Sequence, residues 1–87
     1  MADKTIVYVL RSTSNTTRRY TGLTSDLTRR LQSHNAGQNV DTANDRPWVV
    51  FASFHFHHER TARAFEKYLK SGSGRAFAKR HFDELVP

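Results

Sequence analysis

YTGLTSDLTRRLQSHN occupies residues 20–35, and its reading decides the fold. It has the form of a strand end, a glycine turn and a helix carrying a charged residue on its inner side. Tyr20 and Gly22 belong to the strand end. Thr24 or Ser25 can cap the helix, with Asp26 in its first turn near the positive end of the dipole. Asn35 and Gly37 supply a stop, because glycine tolerates the left-handed residue that ends many helices. Leu27, Leu31 and His34 share one face at helical spacing, Arg30 sits at its edge, and Arg29 points away. Arg30 and His34, one turn apart, overlie one patch and could grip one ligand. Arg30 could equally lay its stem along Leu27 with its head in water.

Working outward, residues 5–10 alternate as a strand, with Ile6, Tyr8 and Leu10 on one face and Val7 and Val9 on the other. Both faces are apolar, which predicts an interior strand. Residues 12–17 are a polar turn and residues 18–23 return as a second strand, so the hairpin brings Tyr8 and Tyr20 into one neighbourhood. Residues 38–47 read as a polar surface loop, and residues 48–56, WVVFASFHF, as a third strand. A second helix is expected over residues 59–70, a break at SGSG (71–74), and a short third helix over 75–82 with Phe77, Ala78 and Phe82 inward. The ββαβαα order predicts an α+β fold, a three-stranded, mainly antiparallel sheet flanked by helices. One compact domain is expected over residues 1–87, with its core at about 5–82.

The chain has no cysteine, which excludes disulfides and thiolate zinc sites. It has no apolar run of membrane-spanning length and no signal-peptide layout, so a soluble, cytoplasmic protein with no membrane partner is the expectation. Fourteen Lys and Arg against eight Asp and Glu leave a net charge of +6. With a pI near 10.3, the chain should attract polyanions, nucleic acid foremost. SGSG lacks a Walker pattern, so it reads as a helix break beside Lys70, Arg75, Lys79 and Arg80, which can meet a phosphate backbone.

Glu66 is out of pattern. Ala62, Phe65 and Leu69 mark the core stripe of the second helix, and Glu66 falls within that stripe. A buried carboxylate has to be neutralised, paired or bound to a cation, unless it sits at the margin of the stripe and reaches water. One divalent ion held mostly by water suits a lone carboxylate better than a two-metal cluster would. His55 and His57 alternate along a strand end, but no third ligand at suitable spacing accompanies them.

Taken together, these positions resemble the GIY-YIG nuclease superfamily, in its small stand-alone bacterial form. VYV around Tyr8 matches the first half of the name and YTG, Tyr20 to Gly22, the second, with Thr21 in place of the central isoleucine. Arg30 stands eight residues after the motif glycine, His34 four further on, and Glu66 in FEKYLK matches the metal-binding glutamate. The late asparagine of some members has no counterpart.

The resemblance implies an endonuclease that hydrolyses DNA phosphodiesters with one Mg2+ (or Mn2+) on Glu66. Arg30 would donate two hydrogen bonds to the phosphate as charge builds there. Tyr8, Tyr20 and His34 are the candidates to orient or deprotonate the water, with either tyrosine favoured and His34 in support. Gly22 reads as structural, permitting close approach. Arg11, Arg18, Arg19 and Arg29, with the basic C-terminal helix, would hold the backbone in a salt-sensitive way. A preference for strandedness or structure over sequence follows from the want of a second reading domain. The competing readings are a non-catalytic nucleic-acid-binding module and a domain that docks an acidic protein.

Overall fold

The protein is described by a computed structural model covering residues 2–83. Its elements are β1 (Ile6–Ser12), β2 (Arg19–Thr24), α1 (Leu27–Asn35), β3 (Trp48–His55), α2 (Glu59–Leu69) and α3 (Gly72–Ala78). A 3-10 turn over Ala43–Asp45 precedes β3, and a wide π-type turn over Lys79–Asp83 follows α3. The α+β architecture expected from the element order is present, and the sheet is antiparallel throughout, in the order β2-β1-β3.

The two apolar faces of β1 explain the layering. Tyr8 and Leu10 point to one side, where they pack with Trp48, Tyr20, Leu27 and Leu31 beneath α1. Val7 and Val9 point to the other side, where Ala62 and Leu69 and a group of phenylalanines close a second core beneath α2 and α3. Alternation along the strand therefore feeds two cores from one segment. The register sets Tyr8 opposite Gly22 and Leu10 opposite Tyr20. On the β3 side Val9 faces Ala52 while Leu10 faces Val50, so Phe51 is the extra residue of a bulge. It turns toward the α2 side, under Arg11 and Arg19.

Three local expectations need correction. The cap of α1 is Asp26 itself, whose carboxylate accepts from the Arg29 amide at 3.1 Å. Thr24 remains in β2 and its hydroxyl accepts from the Asp26 amide, so neither it nor Ser25 caps the helix. The SGSG segment is a helix start, and α3 begins at Gly72 and not at Arg75. Ser71 caps it by accepting from the Gly74 amide at 3.2 Å. Gly74 is needed there because a Cβ would run into the backbone of Tyr68 and Leu69, so α3 can lie directly on the end of α2.

The third correction concerns residues 38–47, which form more than a surface loop. Thr42 is buried within it, and the Trp48 indole donates to the Thr42 carbonyl at 2.8 Å. Asn35, at the end of α1, accepts from the Trp48 amide at 2.7 Å and donates to the Trp48 carbonyl at 3.0 Å. Helix, loop and edge strand are thereby tied at one residue. Replacing Asn35 with Ala leaves both Trp48 backbone groups without that partner. The expected cost is about 1–3 kcal/mol, read as a lower urea midpoint at an unchanged slope.

Candidate active site

The site is built on Tyr8, central in β1, and on α1, which lies across it. Tyr8 and His34 are each almost wholly buried, at 1% and 0% exposure. The Tyr8 hydroxyl lies 2.9 Å from His34 Nε2, and Arg30 Nε donates to the same hydroxyl at 3.2 Å. His34 Nδ1 lies 2.8 Å from the Thr42 hydroxyl, which also lies 3.3 Å from the Asn39 carbonyl. Tyr20 closes the group, its ring 4.8 Å from His34 and 6.3 Å from Tyr8.

The proton positions are assigned from the two ends of the chain, Arg30, which can only donate, and the Asn39 carbonyl, which can only accept from Thr42. Arg30 gives Nε–H to the Tyr8 oxygen, Thr42 takes the Nδ1 hydrogen of His34, and the Tyr8 proton is left to point at Nε2. His34 Nε2 is then the acceptor, and Nδ1 carries the ring hydrogen and donates to Thr42. Thr42 passes its own hydrogen to the Asn39 carbonyl. The chain of donors runs one way from a guanidinium at the rim to a backbone carbonyl inside.

The electrostatics agree with that order. Burial pushes His34 below its ordinary 6.5, and the charge of Arg30 pushes in the same direction, so the ring stays neutral. Burial raises the Tyr8 phenol, while the hydrogen bond and charge of Arg30 pull against it. Arg30 holds its proton more firmly, chiefly through the hydrogen bond to Tyr8. Gly22, opposite Tyr8, supplies the space, because a Cβ there would overlap the Tyr8 hydroxyl and ring.

Glu66 approaches from α2. It sits at the margin of the stripe, with its side chain 22% exposed and the Lys70 ammonium 2.7 Å from its carboxylate. Its charge acts on Tyr8, which places α2 and β1 in one electrostatic neighbourhood. The Lys70 ammonium already rests on this carboxylate, so a divalent ion taking Glu66 as its oxygen donor would have to displace it. Among the described residues no group of three His, Asp or Glu side chains could hold a metal, so such an ion would complete its shell with water and substrate oxygens. His55, His57 and His58 are exposed and outside the group.

The basic residues divide among several surfaces. Arg29 and Arg30 border a hollow of about 460 Å³ with Ser25, Asp26 and Ser33. Arg19 and Arg75 line a second pocket with Lys70, at the β2 edge. Arg18 lies 3.6 Å from Asp45 and 3.5 Å from the Asp41 carbonyl. Arg80 borders a shallow hollow with Phe77 and His81, and Lys79 is exposed. Thr42 and Asn39 belong to the site but were not candidates from sequence. A buried hydroxyl eight residues past a helical histidine has no periodic signature, and its only sequence clue is a polar loop.

The chain belongs to the GIY-YIG family, since the GIY-YIG catalytic domain matches it over residues 4–80. Domains of this family are nucleases that act on nucleic acid and generally depend on a divalent metal. No curated protein and no solved structure gives a significant match. No helix among the described residues is long and apolar enough to cross a membrane.

Two measurements test this arrangement. Nitrogen NMR of His34 should show hydrogen on Nδ1 in the wild type and in Thr42→Ser, and a shift toward hydrogen on Nε2 in Thr42→Val. Stability should also depend on His34. The unfolded chain takes up a proton near pH 6.5 that the folded ring refuses, so stability is full above that pH and declines as pH falls through it. His34→Gln should flatten that decline in urea titrations.

Proposed function

We propose that this chain is a metal-dependent DNA endonuclease working by direct attack of water on a phosphodiester. The observation that carries the reading is the Arg30–Tyr8–His34 chain, in which a phenol has a cation on its oxygen and a neutral imidazole ready for its proton. A domain that only bound nucleic acid would need basic residues and would have no use for a buried, one-way proton path.

Arg30 and Tyr20, both half-buried, form the outward side of the group, and Tyr8 and His34 form its dry back. The scissile phosphate would sit in the hollow shared by Arg29 and Arg30, where the remaining guanidinium N–H groups of Arg30 meet its oxygens. Tyr20 orients the attacking water. As the water oxygen bonds to phosphorus, its proton passes to the Tyr8 oxygen while the Tyr8 proton moves to His34 Nε2. Hydrogen bonding from Arg30 and the positive charge nearby favour phenolate character at Tyr8 in that moment, against the effect of burial. The bond to the 3′ oxygen breaks with its electron pair on that oxygen, which takes a proton from solvent, while Arg30 stabilises the negative charge on the phosphate.

Glu66 is the protein ligand we assign to Mg2+ or Mn2+, one ion, which when bound supplies Lewis-acid stabilisation of the phosphate and the departing oxygen. Arg11, Arg18, Arg19, Lys79 and Arg80 would add salt-sensitive contacts to the backbone without reading bases.

Cleavage of plasmid and single-stranded DNA with Mg2+ or Mn2+ tests the proposal. EDTA should stop the reaction. Arg30→Ala should lower the rate by about 100-fold or more, the scale of losing one preorganised donor to a developing oxyanion. Glu66→Ala should be inactive while still folded. Variants that cut as fast as wild type would refer the activity elsewhere, and salt-sensitive binding without any cleavage would make the chain a binding module.

A further inference from the structure

A second pocket, of about 410 Å³, opens at the free edge of β2, between the sheet and the α2–α3 pair. Its volume falls in the range of small-ligand sites. Its mouth and its floor differ in chemistry. Arg19, Lys70 and Arg75 bring cations from three separate elements, while Val9, Leu69 and Phe82 give it an apolar floor. Val9 and Leu69 are core residues at 5% and 7% exposure, so the floor is continuous with the packed interior.

The platform is built from packed rings and closely set helices. The Phe82 ring is held by edge or tilted contacts with Phe51, Phe54 and Phe77 at 5.7–6.0 Å. The Arg19 guanidinium lies over the Phe51 ring at 4.3 Å, which fixes one side of the mouth. Gly74 sets α3 against the end of α2 with no side chain between them. The pocket also touches both sides of the proposed catalytic group. Tyr20 lies on its rim, and Lys70, which holds the Glu66 carboxylate, lies on its wall.

We propose that this pocket is a nucleotide subsite that receives one unstacked base of single-stranded DNA beside the scissile phosphate. The proposal rests on the nuclease reading above and names how that site chooses its substrate. The ligand matching the walls has a flat apolar body and an adjoining anion. A nucleotide has both, with its base against the Phe82 side and its phosphate toward Arg19, Lys70 and Arg75. A base inside a duplex is paired and stacked and cannot enter without being extruded, which costs least where the base is already unpaired. Single strands, flaps and mismatches are therefore admitted ahead of intact duplex, and any base can enter, because every base has an apolar face.

The test is NMR titration of the whole chain in EDTA with a short single strand and with a hairpin duplex lacking unpaired bases. EDTA keeps binding apart from cleavage. The single strand should shift the Ala78 methyl and Phe82 ring signals and show contacts between Phe82 and base protons. The duplex should bind about tenfold more weakly and leave Ala78 unmoved, in keeping with the contribution of one stacked base. Ala78→Trp, which fills the pocket, and Phe82→Leu, which removes the ring, should each remove most of the single-strand preference. Arg75→Gln, an exposed change that leaves folding alone, serves if either of those fails to fold, and it should weaken single-strand binding severalfold. Equal binding of strand and duplex, shifts confined to Arg29 and Arg30, or an unaltered preference in a folded Ala78→Trp or Arg75→Gln would overturn the subsite. Ala78 shifts in a chain that never cuts DNA would uphold the pocket and remove the nuclease reading. Cutting with Ala78 unmoved would do the reverse.

Discussion

The hydrogen bond between the Tyr8 hydroxyl and His34 Nε2 is the contact around which the α1 side of the molecule is arranged. It joins the central strand to a helix with both rings buried, so each finds its partner in the protein. An imidazole at 0% exposure and a phenol at 1% would otherwise carry a desolvation cost of several kcal/mol. The contact fixes the rotation of α1 over the sheet. Once His34 faces Tyr8, Arg30 one turn earlier is brought over the same hydroxyl, and Leu27 and Leu31 are brought over Leu10 and Trp48. Packing and polar satisfaction then select one helix orientation.

That arrangement has requirements elsewhere in the chain. Gly22 is one, since the phenol occupies the space a side chain would take on β2. Thr42 is another, because an imidazole that accepts through Nε2 needs a place for its Nδ1 hydrogen. Thr42 is held in turn by the Trp48 indole, and Trp48 by Asn35 at the end of the same helix that carries His34. The links run from α1 through the loop and β3 back to α1. The residues around the Tyr8 hydroxyl are thus supported from both sides, which suits a group whose reactivity depends on donor direction.

The parts of this organisation that repeat along the chain were legible in the sequence. Two apolar faces on residues 6–10 placed β1 at the centre, and the spacing of Leu27, Leu31 and His34 set the inner face of α1. The positions of Tyr8, Tyr20, Arg30 and His34 could be grouped because strand and helix periods are regular. Whatever depended on a single side chain choosing among neighbours was not legible. Thr24, Ser25 and Asp26 are all competent caps, and only the end of β2 decides for Asp26. SGSG looks like a break by composition, yet Ser71 can cap and Gly74 can pack, so it starts a helix. Thr42 became visible only when a ten-residue polar stretch folded back onto His34. Glu66 was marked as out of pattern, but its partner Lys70 is a local, mostly exposed residue that the core stripe did not point to.

The two faces of the sheet hold their polar groups differently. On the α1 side Tyr8, His34 and Thr42 are paired with one another, and Arg30 reaches them from the rim. On the α2 side cations stand around an apolar floor, with Arg19 over the Phe51 ring and Lys70 on the Glu66 carboxylate. Tyr20 lies between the two because β2 is an edge strand, so one residue borders the Tyr8–His34 group and the β2-edge pocket together. Lys70 has a comparable position, since it neutralises Glu66 and also lines the pocket. A cation that replaced Lys70 on Glu66 would free the ammonium for a phosphate on the pocket side, at the small energetic cost typical of an exposed i,i+4 ion pair. Loading of the carboxylate and tightening of the backbone grip would then be linked by one lysine.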